Sequence, residues 1–187
     1  MFLVTGATGD IGSKVLRRLS EAGIRVRTLS CSPETLPAVF AGADRLFLLT
    51  GNVRSMTTLQ KNAIDAAAAA GIEHVVKLWA RGAQPGSKSA NGRWHHEVET
   101  YLKDSGRRWT ILRPHIFMQN LLDQAPRTRE DGELRAASGN GRIPFIDTRD
   151  IADAAVAALT EEDHAGETYI LTGDAALRAL RSQVSSE

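Results

Sequence analysis

Residues 2–12 read Phe-Leu-Val-Thr-Gly-Ala-Thr-Gly-Asp-Ile-Gly, an apolar run followed by three glycines. An uninterrupted apolar run is typical of a strand buried on both faces of a sheet. Behind it, Ile11, Val15 and Leu19 recur at helical spacing with basic residues between them, and Gly23 marks the helix end. The spacing G-x-x-G-x-x-G between a strand and a helix predicts a loop that binds a pyrophosphate at the helix N-terminus.

Each glycine of this loop has an expected task. Gly6 permits a tight turn, Gly9 lets backbone N–H groups approach the phosphates, and Gly12 lets the helix pack close to the strand. The sequence therefore predicts a dinucleotide site at the start of the chain.

The rest of the chain alternates strand and helix patterns. Apolar or β-branched runs predict strands at 24–29, 46–49, 72–79, 109–112, 143–146 and 168–171. Helical periodicity predicts helices at 58–70, 91–105, 116–122 and from 147 onward, where Asp147 and Asp150 are expected to cap the helix or pair with Arg149. This alternation predicts an α/β fold, a Rossmann-type doubly wound parallel sheet whose ligands bind beyond the carboxyl ends of the strands.

The domain organisation follows from the same pattern. We expect residues 1–122 to form the dinucleotide-binding core. Residues 123–187 would complete the same domain with a loop or lid at 123–142, a strand–helix–strand segment and a frayed tail from residue 174.

Composition excludes several function classes. With 187 residues, 42% hydrophobic and 24% charged, the chain is an ordinary one-domain globular protein. A net charge of +1 excludes a dedicated nucleic-acid binder, and no apolar stretch is long enough to span a membrane. One cysteine, Cys31, excludes a disulfide framework, and no metal-ligand spacing occurs. We expect a cytoplasmic protein with a small-molecule substrate, no nucleic-acid or membrane partner and no metal.

Several motifs together resemble one family. In chain order they are Thr5-Gly-Ala-Thr-Gly-Asp-Ile-Gly12, Phe47-Leu-Leu-Thr50, His74-Val-Val-Lys-Leu78, His95-x-x-x-Glu99, Trp109-Thr-Ile-Leu-Arg-Pro114, Met118-Gln-Asn120, Pro144-Phe-Ile-Asp-Thr-Arg-Asp150 and His164-Ala-Gly-Glu-Thr-Tyr169. The chain resembles the NmrA-like atypical short-chain dehydrogenases/reductases in a shortened form. These are similar to NAD(P)H-dependent quinone reductases and to redox-sensing regulators that bind dinucleotide without turnover.

The resemblance implies a cofactor site and a substrate pocket. The cofactor residues it implies are Gly6, Thr8, Gly9, Asp10, Ile11, Gly12, Ser30, Leu49, Thr50 and Leu78. The substrate residues it implies are Trp79, His115, Phe117 and Asn120. The stretch around Ser30 has neither an arginine for a 2′-phosphate nor a carboxylate for a ribose diol. We expect NADPH, because no carboxylate repels the phosphate, and NADH stays open.

The chain departs from the family in length. Only 13 residues, Cys31 to Ala43, follow the second strand, too few for a further strand and helix. We therefore expect one edge strand to be missing, with Arg25 and Arg27 protecting the edge left behind. The substrate region after Gly173 is also expected to be reduced.

The family's usual Tyr-x-x-x-Lys pair is absent, which leaves His95 and Lys77 as catalytic candidates. His95 either donates a proton to the reduced substrate or has a structural role, as a cap or bonded to Glu99. Lys77 either reaches the nicotinamide ribose or substrate, or pairs with a carboxylate at the sheet surface.

The expected function is that of an NAD(P)H-dependent oxidoreductase acting on a small carbonyl or quinone-like substrate. Two alternatives stay open: a dinucleotide-binding regulator without turnover, and a non-redox cyclase or isomerase on the same fold. A homodimer through helices 91–105 and 58–70 is possible by analogy with the fold.

Overall fold

Strands and helices alternate along the chain within about two residues of the predicted bounds for most elements. The computed structural model describes residues 1–29, 36–79, 82–124 and 141–178. The strands are β1 (Phe2–Thr5), β2 (Val26–Leu29), β3 (Arg45–Leu48), β4 (His74–Leu78), β5 (Arg108–Pro114), β6 (Arg142–Ile143), β7 (Glu167–Leu171) and β8 (Leu177–Arg178). The helices are α1 (Asp10–Glu21), α2 (Leu36–Phe40), α3 (Met56–Ala69), α4 (Ala90–Asp104) and α5 (Thr148–Thr160), with a 3₁₀ helix at Met118–Gln124.

Six strands form one parallel sheet in the order β2-β1-β3-β4-β5-β7. The chain runs from β1 outward to β2 and then returns to the other side of β1 as β3. Strand order therefore reverses between β1 and β3, the place where open α/β sheets bind their ligands. The predicted Rossmann-type fold is confirmed.

Helices cover both faces of the sheet because its strands present apolar side chains in both directions. Phe47 of β3 packs with α1 and α5, whereas its neighbours Leu46 and Leu48 pack with α2, α3 and α4. This alternation follows from the two-residue period of a strand. Any strand residue can therefore be assigned either to the face covered by α1 and α5 or to the face covered by α2, α3 and α4.

The predicted edge position of β2 is confirmed, since the strand pairs with β1 and ends the sheet. Between β2 and β3 the described residues hold the five-residue helix α2 and no further strand. Arg27, expected to protect the edge strand β2, also binds the helix that follows it. Its guanidinium donates to the backbone carbonyls of Ala38, Val39 and Ala41 at 3.1, 2.8 and 2.9 Å, and so holds the end of α2 against β2.

Two predictions in the last third of the chain were wrong. The strand at 143–146 is limited to Arg142–Ile143, because Pro144 has no N–H for a ladder and the chain turns there. The segment from residue 174 is not all frayed, since Leu177–Arg178 pairs antiparallel with β6. Most of the predicted lid, residues 125–140, and the last nine residues of the chain lie outside the described residues.

Asp147 caps helix α5, as the sequence predicts. Its Oδ1 accepts from the backbone N–H of Arg149 at 2.8 Å and from the side-chain amide of Gln119 at 2.9 Å. Hydrogen bonds from Arg149 hold the pKa of the Asp147 carboxyl well below its usual range. The cap thus ties the 3₁₀ helix, which carries Gln119, to the start of α5.

The substitution Asp147→Ala is expected to lower the free energy of unfolding by about 1–2 kcal/mol, because it removes a cap acceptor. Urea unfolding of the purified variants measures this. The matched control Asp147→Asn keeps an oxygen acceptor and should lose less than half as much. Equal losses in the two variants would attribute the effect to the charge and contradict the capping role.

Candidate active site

The carboxyl ends of four parallel strands bring most of the predicted site residues to one edge of the sheet. The glycine loop follows β1, Leu49 and Thr50 follow β3, Trp79 follows β4, and His115 follows β5. Because the strands are parallel and adjacent, these four segments lie side by side. Ser30, the predicted residue after β2, lies outside the described residues.

The geometry of the glycine loop fits a dinucleotide. Gly6 has a φ of +66°, a left-handed conformation that favours glycine. A Cβ on Gly12 would overlap the backbone carbonyl of Gly6, so α1 can approach β1 this closely only with glycine there. Gly9 is the N-cap of α1 and has no side chain to satisfy the first-turn N–H groups. The amides at this helix end are therefore suited to phosphate oxygens.

Asp10 places a carboxylate in the first turn of α1, beside the expected phosphates. It is bound to the ammonium of Lys14 one turn later, and this bond is the largest cause of the lowered pKa of Asp10. The lysine therefore offsets the charge that would otherwise repel a pyrophosphate.

Two buried polar side chains that sequence reasoning missed hold the loop after β3 in place. The hydroxyl of Thr5 accepts from the backbone N–H of Leu49 at 2.8 Å and lies 2.8 Å from the carbonyl oxygen of the same residue. The side-chain amide of Gln60 donates to the hydroxyl of Thr50 at 2.8 Å. The signal for Gln60 was available, since a glutamine on the apolar face of a predicted helix needs a partner.

Lys77 and His95 meet under the end of β4. Lys77 alternates with Val76, so its side chain enters the face covered by α4, where it is fully buried. Its Nζ lies 3.0 Å from Nδ1 of His95, which is itself buried on α4. The indole of Trp79 stacks on the imidazole with ring centroids 3.3 Å apart and planes inclined by 10°. Lys77 thus neither emerges at the strand end nor pairs with a surface carboxylate.

Glu99, one turn after His95, binds Arg113 of β5 through both carboxylate oxygens rather than bonding to the histidine. The pKa of Lys77 is lowered to about 7, chiefly by burial, with the charge of Glu99 raising it and that of Arg113 lowering it. Burial and then the nearby Lys77 charge together lower the pKa of His95 to about 2. At neutral pH His95 is therefore uncharged, and Lys77 gives up its proton more readily than an exposed lysine.

The predicted substrate wall lies at the end of β5. His115 is half-buried and its backbone N–H donates to the carbonyl of Leu171 at 2.8 Å, while Phe117 pairs with Ile146 in an isolated bridge. Asn120 is exposed on the 3₁₀ helix. A separate cleft of about 490 Å³ lies after β4, lined by Trp79 and by residues between 82 and 92. Trp79 is the predicted substrate residue that lines this cleft.

Comparison with known proteins decides the class of site. Residues 29–162 match a family described as NAD(P)H-binding, a span that includes strands β3, β4 and β5 of the sheet, although the glycine loop precedes it. The chain belongs to this NAD(P)H-binding family. The predicted cofactor class, NAD(P)H, and the predicted resemblance to atypical short-chain reductases are thereby confirmed.

Individual relatives align with nearly the whole chain. The chain is 38% identical to the NAD(P)H azoreductase of Xenophilus azovorans, covering 95% of this chain and 69% of the relative. It is 30% identical to quinone oxidoreductase 2 of Escherichia coli, covering 94% and 70%. The solved structure of the NADPH-dependent quinone oxidoreductase of E. coli complexed with NADPH superposes with a TM-score of 0.82 at 29% identity, covering 95% and 71%.

The alignment with the azoreductase runs over 198 positions, more than the 187 residues of this chain. The azoreductase therefore has residues inside the aligned region with no counterpart here, as expected for an internally shortened chain. In the described ranges no three His, Cys, Asp or Glu side chains converge as metal ligands. No helix in the part of the chain that the structure describes is long and apolar enough to cross a membrane.

Proposed function

We propose that this protein is an NAD(P)H-dependent reductase that transfers hydride to a small, flat quinone-like, azo or other aromatic acceptor. The observation that carries the proposal is the match, over 95% and 94% of the chain, to an NAD(P)H azoreductase and a quinone oxidoreductase. The fit of the glycine loop to a dinucleotide supports it.

The cofactor would lie across the carboxyl ends of β1 and β3. Gly6, Gly9 and Gly12, with Thr8, Asp10 and Ile11 between them, would hold the pyrophosphate, and Leu49, Thr50 and Leu78 would line the rest of the dinucleotide. NADPH is the proposed form, because the sequence after β2 places no carboxylate at Ser30, Cys31 or Ser32 to repel a 2′-phosphate. When bound, the reduced nicotinamide supplies the hydride.

The protein's own contribution would be to orient the acceptor and to exclude water from it. The indole of Trp79 has one face on His95, and the residue borders the cleft after β4. An aromatic wall of this kind suits a flat substrate, which would stack with offset rings. His115, Phe117 and Asn120 would complete the wall on the β5 side. The homodimer and the cytoplasmic location stay predictions.

Titration with NADPH and NADH, followed by the fluorescence of the three tryptophans, tests the cofactor. We expect saturable binding with NADPH the tighter ligand. Loss of nicotinamide absorbance with a panel of benzoquinones, naphthoquinones and azo dyes then tests turnover. Failure to bind either nucleotide would contradict the proposal, and binding without turnover of any acceptor would favour a dinucleotide-binding regulator instead.

A further inference from the structure

The buried pair Lys77–His95 has an unusual composition for a structural contact. A lysine that is fully buried normally pairs with a carboxylate, because an uncompensated ammonium is costly inside a protein. Here the atom within hydrogen-bond distance of Nζ is a neutral imidazole nitrogen, and the nearby Glu99 is bound to Arg113. The hydrogen bond of Lys77 therefore needs an account other than a direct ion pair with a carboxylate.

The chemistry of the two groups fixes the position of one proton. An ammonium has three N–H donors and no acceptor, so a protonated Lys77 must donate to Nδ1 of His95. The ring proton of His95 then resides on Nε2. That Nε2 is buried and has no hydrogen-bond partner among the described residues. The Nε2–H group of His95 can therefore donate to a bound molecule that comes within hydrogen-bond distance of it.

We propose that Lys77 and His95 form a two-residue proton relay, in which His95 gives its Nε2 proton to the reduced substrate while Lys77 returns a proton to Nδ1. The relay rests on the proposed reductase function and assigns its proton source. His95 is the catalytic residue of the pair, and Lys77 is a positioning residue that acts through it. Neutral His95 can act as an acid in this way without first becoming an imidazolium.

The step balances in atoms and charge. An acceptor that receives hydride from NAD(P)H carries one negative charge on oxygen or nitrogen. The Nε2–H bond of His95 breaks as the new O–H or N–H bond of the product forms, and an Nζ–H bond of Lys77 breaks as Nδ1–H forms. The pair is left with a neutral amine and an imidazole protonated on Nδ1. One solvent proton taken up at Nε2, with return of the Nδ1 proton to Lys77, restores the start.

The surroundings suit this exchange. Burial disfavours the charged form of Lys77, the charge of Glu99 favours it and that of Arg113 disfavours it, which together bring its pKa to about 7. An acid with a pKa near the working pH is the most effective proton source. Trp79 covers one face of the imidazole, and both side chains of the pair are buried. The charged and titratable groups that act on Lys77 are therefore His95 and Glu99 from α4 and Arg113 from β5.

Long-range ¹H–¹⁵N NMR of the protein without cofactor tests the geometry. We expect His95 to carry its proton on Nε2 below pH 7 and to lose that preference as Lys77 deprotonates above it. A proton on Nδ1 below pH 7 would overturn the relay. This readout needs no turnover and survives if the substrate class is wrong.

Steady-state kinetics with a quinone acceptor tests the transfer. In the wild type kcat should fall about tenfold per pH unit above about 7. In Lys77→Met kcat should fall about 100-fold with the KM for NADPH unchanged, and the pH dependence should vanish. The matched control Lys61→Met, on the surface of α3, should keep the wild-type kcat. A flat wild-type profile or full activity in Lys77→Met would overturn the relay alone, whereas a wild type without any turnover would overturn the proposed function as well.

Discussion

The substitution Gly12→Ala is expected to weaken NADPH binding about 100-fold and to destabilise the fold. The added Cβ would overlap the carbonyl of Gly6 and press on the Cα of Ala7, both backbone atoms that no side-chain rotation can move. Helix α1 would have to shift away from β1. The loss of two charge-assisted hydrogen bonds to phosphate, at about 1.5 kcal/mol each, accounts for the 100-fold weaker binding. Overpacking of this kind typically lowers the free energy of unfolding by about 1–3 kcal/mol.

Tryptophan fluorescence titration and urea unfolding measure the two effects on the same variant. Gly51→Ala is the matched control, since its added Cβ would meet nothing within 4 Å and its φ is not in the left-handed region. The control should bind and unfold like the wild type. An unchanged dissociation constant in Gly12→Ala would contradict the role of this glycine in the phosphate loop.

The fold was predictable because its signal is local. A strand or helix is recognised here from a pattern within about a dozen residues. Examples are the apolar run before the glycine loop, the run around Phe47 and the helical spacing of Ile11, Val15 and Leu19. Strand β8 was not predictable in this way. Its two residues are too short for any periodicity, and β6 and β8 are defined by pairing with each other across more than 30 residues of chain.

The site was predictable as a set of segments but not as a set of contacts. The parallel sheet requires that Trp79 and the glycine loop share one edge, and the sequence predicts that sheet. The contact between Lys77 and His95 depends in addition on how α4 is set over β4, which is decided by packing rather than by either segment. The partner of Glu99 is likewise decided by packing. The carboxylate binds Arg113 of β5 and not His95, which lies one turn earlier on its own helix.

The substitution Glu99→Gln is expected to lower the free energy of unfolding by about 2–3 kcal/mol. Glu99 is 2% exposed, its carboxylate binds the guanidinium of Arg113, and its charge raises the pKa of Lys77. A glutamine keeps one hydrogen-bond acceptor but leaves Arg113 without its anion, and removing one partner of a buried pair is costly. Urea unfolding at pH 7 measures the loss.

Glu97→Gln on the same helix is the matched control, because Glu97 binds Lys61 at 2.7 Å but is about half exposed. An exposed pair contributes little, so this variant should stay within about 0.5 kcal/mol of the wild type. Equal losses would contradict the importance of burial.

The two variants should also differ in kinetics. Since Glu99 raises the pKa of Lys77, its loss should move the fall of kcat to lower pH, whereas Glu97→Gln should leave the profile in place. A destabilised Glu99→Gln variant with an unmoved profile would separate the ion pair's structural role from the proton relay, because a charge that stabilises Lys77 cannot be removed without changing where that lysine titrates.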